Sequence, residues 1–137
     1  MTQPAVIHSV AAAAAAHGFA DAAPGHRFNL YFPIWRDDWS PDNNRKKDAI
    51  KDCTRIPPPV IGLLDGLRAR QQTLFAAIPE GLSFAAVSSA PFATGLGNEH
   101  PVENGFAFLT PYGLPYLAGS GVKGVLRNDV FQRHAKL

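Results

Sequence analysis

The longest run of apolar residues at helical spacing lies between Val60 and Ile78. Most of its members recur every three or four positions, which places them along one face of an α-helix. They are Val60, Leu63, Leu64, Leu67, Leu74, Phe75 and Ile78. Pro57–Pro59 precedes the run and Pro79–Gly81 follows it, so residues that interrupt helices mark both ends. The pattern predicts a helix that packs through this stripe, with Arg68 and Arg70 lying off it.

Alternating apolar positions further along the chain predict strands. Residues 82–94 alternate in this way, and so do residues 106–110 and 114–118 on either side of Pro111-Tyr112-Gly113. The last two runs predict a β-hairpin. Residues 122–137 return to helical spacing and predict a final helix. Its apolar stripe needs a sheet to cover it, and three strands make only a half-built sheet.

The chain before these strands divides into two parts. Residues 1–28 are a poorly defined N-terminal arm with six consecutive alanines, Ala11–Ala16, and no amphipathic face. Residues 29–81 hold an aromatic segment, a charge-balanced polar block from Arg36 to Arg55, and the packing helix. We expect the aromatic segment to be buried against that helix or a neighbouring subunit. Its large residues are Tyr31, Phe32, Ile34 and Trp35.

Composition limits the class of protein. A chain of 137 residues with 46% hydrophobic content fits one domain at most. It has no apolar run long enough to cross a bilayer, and no basic residue precedes the alanine run as a secretory signal would require. Cys53 is the only cysteine, so neither an internal disulfide nor a cysteine-based metal site is expected. We therefore expect a cytoplasmic protein without a cofactor and without a membrane partner.

The segment from Gly119 to Arg127, Gly-Ser-Gly-Val-Lys-Gly-Val-Leu-Arg, is the strongest candidate for binding chemistry. Ser120 is placed to cap the last helix, whose first N–H groups would then point outward with the positive end of the helix dipole. The glycines leave room for a ligand backbone to approach. Lys123, Arg127 and His134 share one sector of that helix. The residues predict an anion site with a row of basic side chains beside it.

Two interpretations of this segment remain open from its residues alone. The spacing matches neither a nucleoside triphosphate loop nor a dinucleotide-binding fingerprint, so a polyphosphate ester backbone is the better anion. The alternative is a tight turn whose glycines merely permit a helix to pack on a sheet. Elsewhere, His100 lies in a loop between Glu99 and Pro101, with Glu103 nearby. This histidine and the pair Asp37-Asp38 are more typical of structural or surface roles than of metal or acid–base chemistry.

The residues from Pro111 to Arg127, together with Thr94–Glu99 and Val102–Gly105, resemble the glycine-rich region of the RAMP superfamily of CRISPR proteins. Within it they are most similar to the sixth-subunit family of the Cmr module, the type III-B RNA-targeting effector. The resemblance is firm over residues 84–127 and loose over residues 29–78.

This resemblance implies an α+β, ferredoxin-like (RRM-type) fold, of which residues 82–137 would be the first half. It implies a non-catalytic, RNA-binding structural subunit in antiviral defence, which contacts the guide RNA backbone near its 3′ end. Other Cmr subunits are the expected protein partners, with target RNA as a further candidate. The positions that match the family's RNA-facing segment are Gly119, Ser120, Gly121, Lys123, Gly124 and Arg127.

Two alternatives compete with this reading. One is a metal-independent CRISPR RNA endonuclease of the same superfamily, with His134 or His100 as general base. The other is an inactive truncated remnant, because the implied domain would continue past Leu137. With its sheet half built, the isolated chain is expected to be marginally stable and prone to association.

Overall fold

The computed structural model describes residues 2–7, 10–12 and 19–135. Most of the alanine run, Ala13 to Ala16, lies outside these ranges. Residues 10–12 are helical, and four further helices and one 3₁₀ turn follow in the described chain. They are α1 (Pro24–Asn29), the 3₁₀ turn (Asn43–Arg45), α2 (Lys46–Cys53), α3 (Pro58–Ala76) and α4 (Gly119–His134). Among these residues no helix is long and apolar enough to span a membrane.

The two long helices form where the apolar periodicity predicts them. Helix α3 follows Pro57, whose backbone is extended, and carries Pro58 at its first position, where the missing N–H costs no hydrogen bond. It ends at Ala76, just before Pro79-Glu80-Gly81. Helix α4 runs from Gly119 through His134. Both predictions are confirmed, since a helix satisfies most of its hydrogen bonds from within its own sequence.

The main core forms between α1 and α2. The ring of Phe28 lies at its centre and packs edge-on against Phe32, with ring centroids 5.6 Å apart. The buried members are Phe28, Phe32, Ile34, Ala49 and Cys53, and Trp35, Val102, Phe106 and Phe108 pack around them. Burial of the aromatic segment is thus confirmed at Phe32 and Ile34. The prediction that the Val60–Ile78 helix covers it is wrong, because α1 and α2 do so within the described chain.

Arg27 links α1 to the end of α2. Its guanidinium is buried and donates hydrogen bonds to the backbone carbonyls of Asp52 and Arg55. The Asp52 carbonyl belongs to the last turn of α2, at the negative end of the helix dipole, where a cation is favoured. Burial lowers the pKa of Arg27. The side chain therefore fixes the angle between the two helices around the core.

A second, smaller core joins the first half of α3 to the turn at residues 109–114. Ala23, Val60 and Leu114 are buried there. Arg70 Nη1 donates a hydrogen bond to the Tyr112 hydroxyl at 2.9 Å and fastens the same contact. Gly113 has φ +64°, and a Cβ built on it would lie 2.8 Å from the His26 ring, so this turn requires glycine.

The rest of α3 does not pack as predicted. Val60 is the only buried residue of α3, and the stripe farther along is exposed, with Leu74 65% accessible. Helix α4 also presents exposed apolar side chains. These are Val122, Val125, Leu126, Val130 and Phe131. Both stripes lie uncovered within the described chain.

The predicted strand at residues 82–94 is wrong. Residues 82–93 make no backbone–backbone hydrogen bond to any described residue, and Leu82 and Val87 are 86% and 94% exposed. The predicted hairpin is reduced to a single bridge between Leu109 and Leu114. A strand exists only when a neighbouring strand accepts its hydrogen bonds, and the described chain provides none here. The ferredoxin-like fold is accordingly not confirmed.

We expect the core around Ile34 to carry most of the stability of the chain. Ile34 has 0% exposure, so Ile34→Ala leaves a cavity and should cost about 2–5 kcal/mol of unfolding free energy. The matched control is Leu74→Ala on α3, which should change it by less than about 0.5 kcal/mol because that side chain is exposed. Urea denaturation of the two variants makes the comparison. Equal losses would contradict this assignment of the core.

Cys53 should make stability depend on alkaline pH. Burial raises the pKa of its thiol from 9.0 to about 11. The folded chain thus holds this proton more tightly than the unfolded chain, so the contribution is complete below about pH 9 and disappears as pH rises towards about 11. As pH rises through this range, the urea concentration at the unfolding midpoint should fall less for Cys53→Ala than for the native chain. If the midpoints of the two proteins fall equally with pH, the Cys53 thiol does not cause the loss of stability.

Candidate nucleic-acid interface

The candidate site occupies the first turns of α4. The helix begins at Gly119, and Ala118 is its N-cap. Ser120 therefore lies inside the first turn, and the prediction that it caps the helix is wrong. The N–H groups of Gly121 and Val122 both bond to the Ala118 carbonyl, at 2.9 and 3.2 Å. Those of Gly119 and Ser120 have no backbone acceptor in the described chain, so two donors face outward at the positive end of the dipole.

The glycines of α4 keep this surface open. A Cβ built on Gly119, Gly121 or Gly124 would meet nothing within 4 Å. None of the three is needed for close packing inside the described chain, although each weakens a helix by about 1 kcal/mol relative to alanine. The packing-turn interpretation therefore lacks a packed neighbour here. What the glycines provide is a flat approach to the helix backbone.

Two basic side chains of α4, Lys123 and Arg127, lie one turn apart and project from one side of the helix. Asp129, the acidic residue of the helix, is paired with Arg133 at 2.8 Å in an exposed i,i+4 ion pair. No ion pair involves Lys123 or Arg127 within the described residues. The Arg127 guanidinium lies 5.5 Å from the centroid of the Phe131 ring, a contact that orients the charge. Two exposed cations thus follow the open helix terminus along the chain.

The structure brings the six predicted residues together through the helix alone. Gly119, Ser120, Gly121, Lys123, Gly124 and Arg127 all lie in the first nine residues of α4. Helices α1–α3 make no packing contact with α4 in the described chain. The candidate surface is therefore a property of this one helix and the residues that lead into it.

His100, a candidate metal ligand or general base from the sequence, is packed against the core. Its ring stacks on Phe28 with centroids 3.8 Å apart. Nε2 lies 2.8 Å from the Phe28 carbonyl oxygen, and Nδ1 accepts a hydrogen bond from the Val102 backbone N–H at 3.3 Å. These bonds define the tautomer with the proton on Nε2. Both ring nitrogens are thereby occupied, while the neighbouring Glu103 pairs with Lys46.

The segment from Thr94 to Gly105 forms a closed turn around this histidine. Thr94 and Ala107 exchange two hydrogen bonds, from the Ala107 N–H at 2.7 Å and from the Thr94 hydroxyl at 3.1 Å. Gly95 has φ +73°, and a Cβ there would lie 2.5 Å from the Ala107 nitrogen. Residues 94–99 and 102–105, which carry the family resemblance, therefore form this turn.

The remaining candidates are surface groups. The Asp38 carboxylate accepts hydrogen bonds from the Ser40 hydroxyl and N–H, and these bonds lower its pKa. This is a local turn contact on an exposed loop. His134 lies exposed near the end of α4. No group of three or more potential metal ligands occurs among the residues that the structure describes.

The structure also contains a cleft beside the start of α4 that the sequence patterns did not predict. It has a volume of about 600 Å³ and lies between α3 and residues 109–117. Arg68, Gln71 and Tyr116 line it. The sequence analysis placed Arg68 outside the apolar stripe of its helix and Tyr116 in a strand of the predicted hairpin. No local signal marks such a cleft, because its walls are about 45 residues apart in the chain.

Comparison with known families identifies one match. Residues 88–130 match the RAMP superfamily. This range includes the Thr94–Gly105 turn and all six candidate residues of α4. No curated protein and no solved structure matches the chain significantly. The match supports the superfamily resemblance over this range and, in general terms, a CRISPR-associated RNA-binding role.

The contacts of His100 predict a structural effect of its removal. His100→Ala deletes the stack on Phe28 and leaves the Phe28 carbonyl without its donor, so we expect a loss of about 1–3 kcal/mol in unfolding free energy. His134→Ala is the control, with an expected change under about 0.5 kcal/mol. Urea denaturation measures both. If the two variants unfold alike, His100 is not a structural residue.

Proposed function

We propose that this protein is a non-catalytic RNA-binding structural subunit of a type III-B CRISPR (Cmr) effector complex, acting in antiviral defence. Its site is the start of α4, which contacts the guide RNA backbone near its 3′ end. The observation that carries the proposal is the open, glycine-lined terminus of α4, with exposed Lys123 and Arg127, inside the range that matches the RAMP superfamily.

The chemistry of this surface suits a phosphodiester backbone. Two outward N–H groups and the helix dipole attract an anion, and the absence of side chains at three positions lets a polymer lie close. Lys123 and Arg127 then neutralise further phosphates along the strand. Such contacts position RNA and do not read its sequence. That property is what a subunit needs to hold guides of differing sequence.

The partners we propose follow from the uncovered apolar surface. Exposed stripes on α3 and α4, and the exposed, irregular residues 82–93, are typical of surfaces that another protein covers. We assign them to contacts with other subunits of the effector. Target RNA is a further candidate ligand, and the cytoplasm is the proposed location.

No catalytic base is part of the proposal. His100 has both ring nitrogens engaged by backbone groups. His134 belongs to an exposed helical face, next to the Arg133–Asp129 ion pair. RNA incubated with the chain in EDTA should therefore remain intact.

The main test is a salt titration of RNA affinity. Lys123→Ala should weaken binding equally for two unrelated single-stranded RNAs and flatten the log–log salt dependence by about 0.7, the value for one phosphate contact. Lys47→Ala removes the same charge from an exposed position on α2 and serves as the matched control. Lys47→Ala should leave the slope unchanged.

A glycine variant tests the backbone approach separately. Gly121→Val should weaken RNA binding because its side chain holds the strand away from the N–H groups. Gly62→Val is the control, since Gly62 also lies in a helix with nothing within 4 Å. If Lys123→Ala changes neither affinity nor slope, and Gly121→Val behaves like Gly62→Val, then α4 is not the RNA-binding surface.

A further inference from the structure

The cleft between α3 and residues 109–117 has the composition of a binding site. Its volume is about 600 Å³, within the usual range for small-molecule sites. The floor is apolar, with Leu114 only 2% exposed and Leu67 and Leu109 beside it. One wall carries polar side chains of α3, and the other carries the chain that leads into α4. The lining residues used below are Asp65, Arg68, Gln71, Tyr116 and Leu117.

The two walls are held together by specific contacts. The hydrogen bond between Arg70 and Tyr112 spans them at 2.9 Å. The buried contact of Val60 with Leu114 joins them a second time, at the floor. The cleft is therefore a defined feature of the fold and not a gap between loosely associated segments.

Its chemistry matches an unpaired nucleobase. A base has a flat apolar face and a polar edge, and proteins hold single-stranded RNA by stacking bases on aromatic rings while bonding their edges. Tyr116, a half-buried residue that lines both this cleft and a neighbouring one, supplies the ring. Arg68 and Gln71, one turn apart on α3, supply donors, and Asp65 and Gln71 supply acceptors.

The cleft also adjoins the proposed phosphate site. Leu117 lines it, and Gly119 begins α4 two residues later, so the backbone between them spans at most about 7 Å. The cleft is therefore within one nucleotide's reach of a strand whose phosphates bind the start of α4. We propose that the cleft receives one unpaired base of that RNA, stacked on Tyr116. This inference rests on the proposed function and adds a base contact to its phosphate contacts.

The test compares two oligomers with the same backbone. An eight-nucleotide uridine RNA and an abasic ribose-phosphate chain of equal length carry the same charges, but only the first has bases. The full chain should bind the uridine RNA about tenfold more tightly, as expected for one base–aromatic stack. Tyr116→Ala should abolish this preference, while Tyr116→Phe should retain it because the ring remains.

The variants separate this inference from the function on which it rests. Lys123→Ala should weaken both oligomers by the same factor and preserve their ratio. Gln71→Ala, at an exposed position of α3, reports on the cleft independently of Tyr116 and should reduce the ratio. Melting curves show whether each variant folds.

Three other outcomes would contradict one or both proposals. If the native chain binds neither oligomer, both the proposed function and the base cleft are wrong. If it binds both equally, or prefers uridine undiminished in Tyr116→Ala and Gln71→Ala, only the cleft proposal fails. If competition by an apolar peptide removes the uridine preference while Tyr116→Ala does not, the cleft is a protein-docking site instead.

Discussion

Packing around the ring of Phe28 holds this protein together. That one ring stacks on His100 and lies within 6 Å, between centroids, of Phe32, Phe106 and Phe108. It thereby joins a short early helix to a segment more than 70 residues later, and the Phe28 carbonyl adds a polar bond to the same histidine. The turn at residues 94–105 and the approach to α4 depend on this contact for their position.

The proposed RNA-binding surface lies at the edge of that core. Residues 109–117 leave the core, form one wall of the cleft, and then become α4. The helix contributes its backbone donors and its charges through local structure alone, without help from α1–α3. The cleft, by contrast, depends on two long-range contacts of α3, the hydrogen bond of Arg70 to Tyr112 and the packing of Val60 with Leu114. The proposed phosphate site needs one helix and the proposed base site needs two segments, so the two can be disrupted independently.

Because the core is small, much apolar surface remains exposed. Little apolar surface is buried within the described chain by residues 82–93, the far part of α3 and the apolar stripe of α4. Each exposed Leu, Val or Phe forgoes about 1.5–3 kcal/mol that burial would contribute. Association with other protein surfaces would supply that stabilisation, which agrees with a subunit of a larger assembly.

The sequence by itself determined the two long helices, the turn at Pro111-Tyr112-Gly113 and the burial of Phe32 and Ile34. Helical periodicity and proline act over a few residues, so a local pattern is sufficient for them. Only the tertiary structure decided that α1 and α2 cover the aromatic segment, that His100 stacks on Phe28, and that residues 82–93 form no strand. It also decided that Tyr116 faces a cleft with Arg68. Each of these depends on groups far apart in the chain, and a strand or a cleft wall has no partner until the fold provides one.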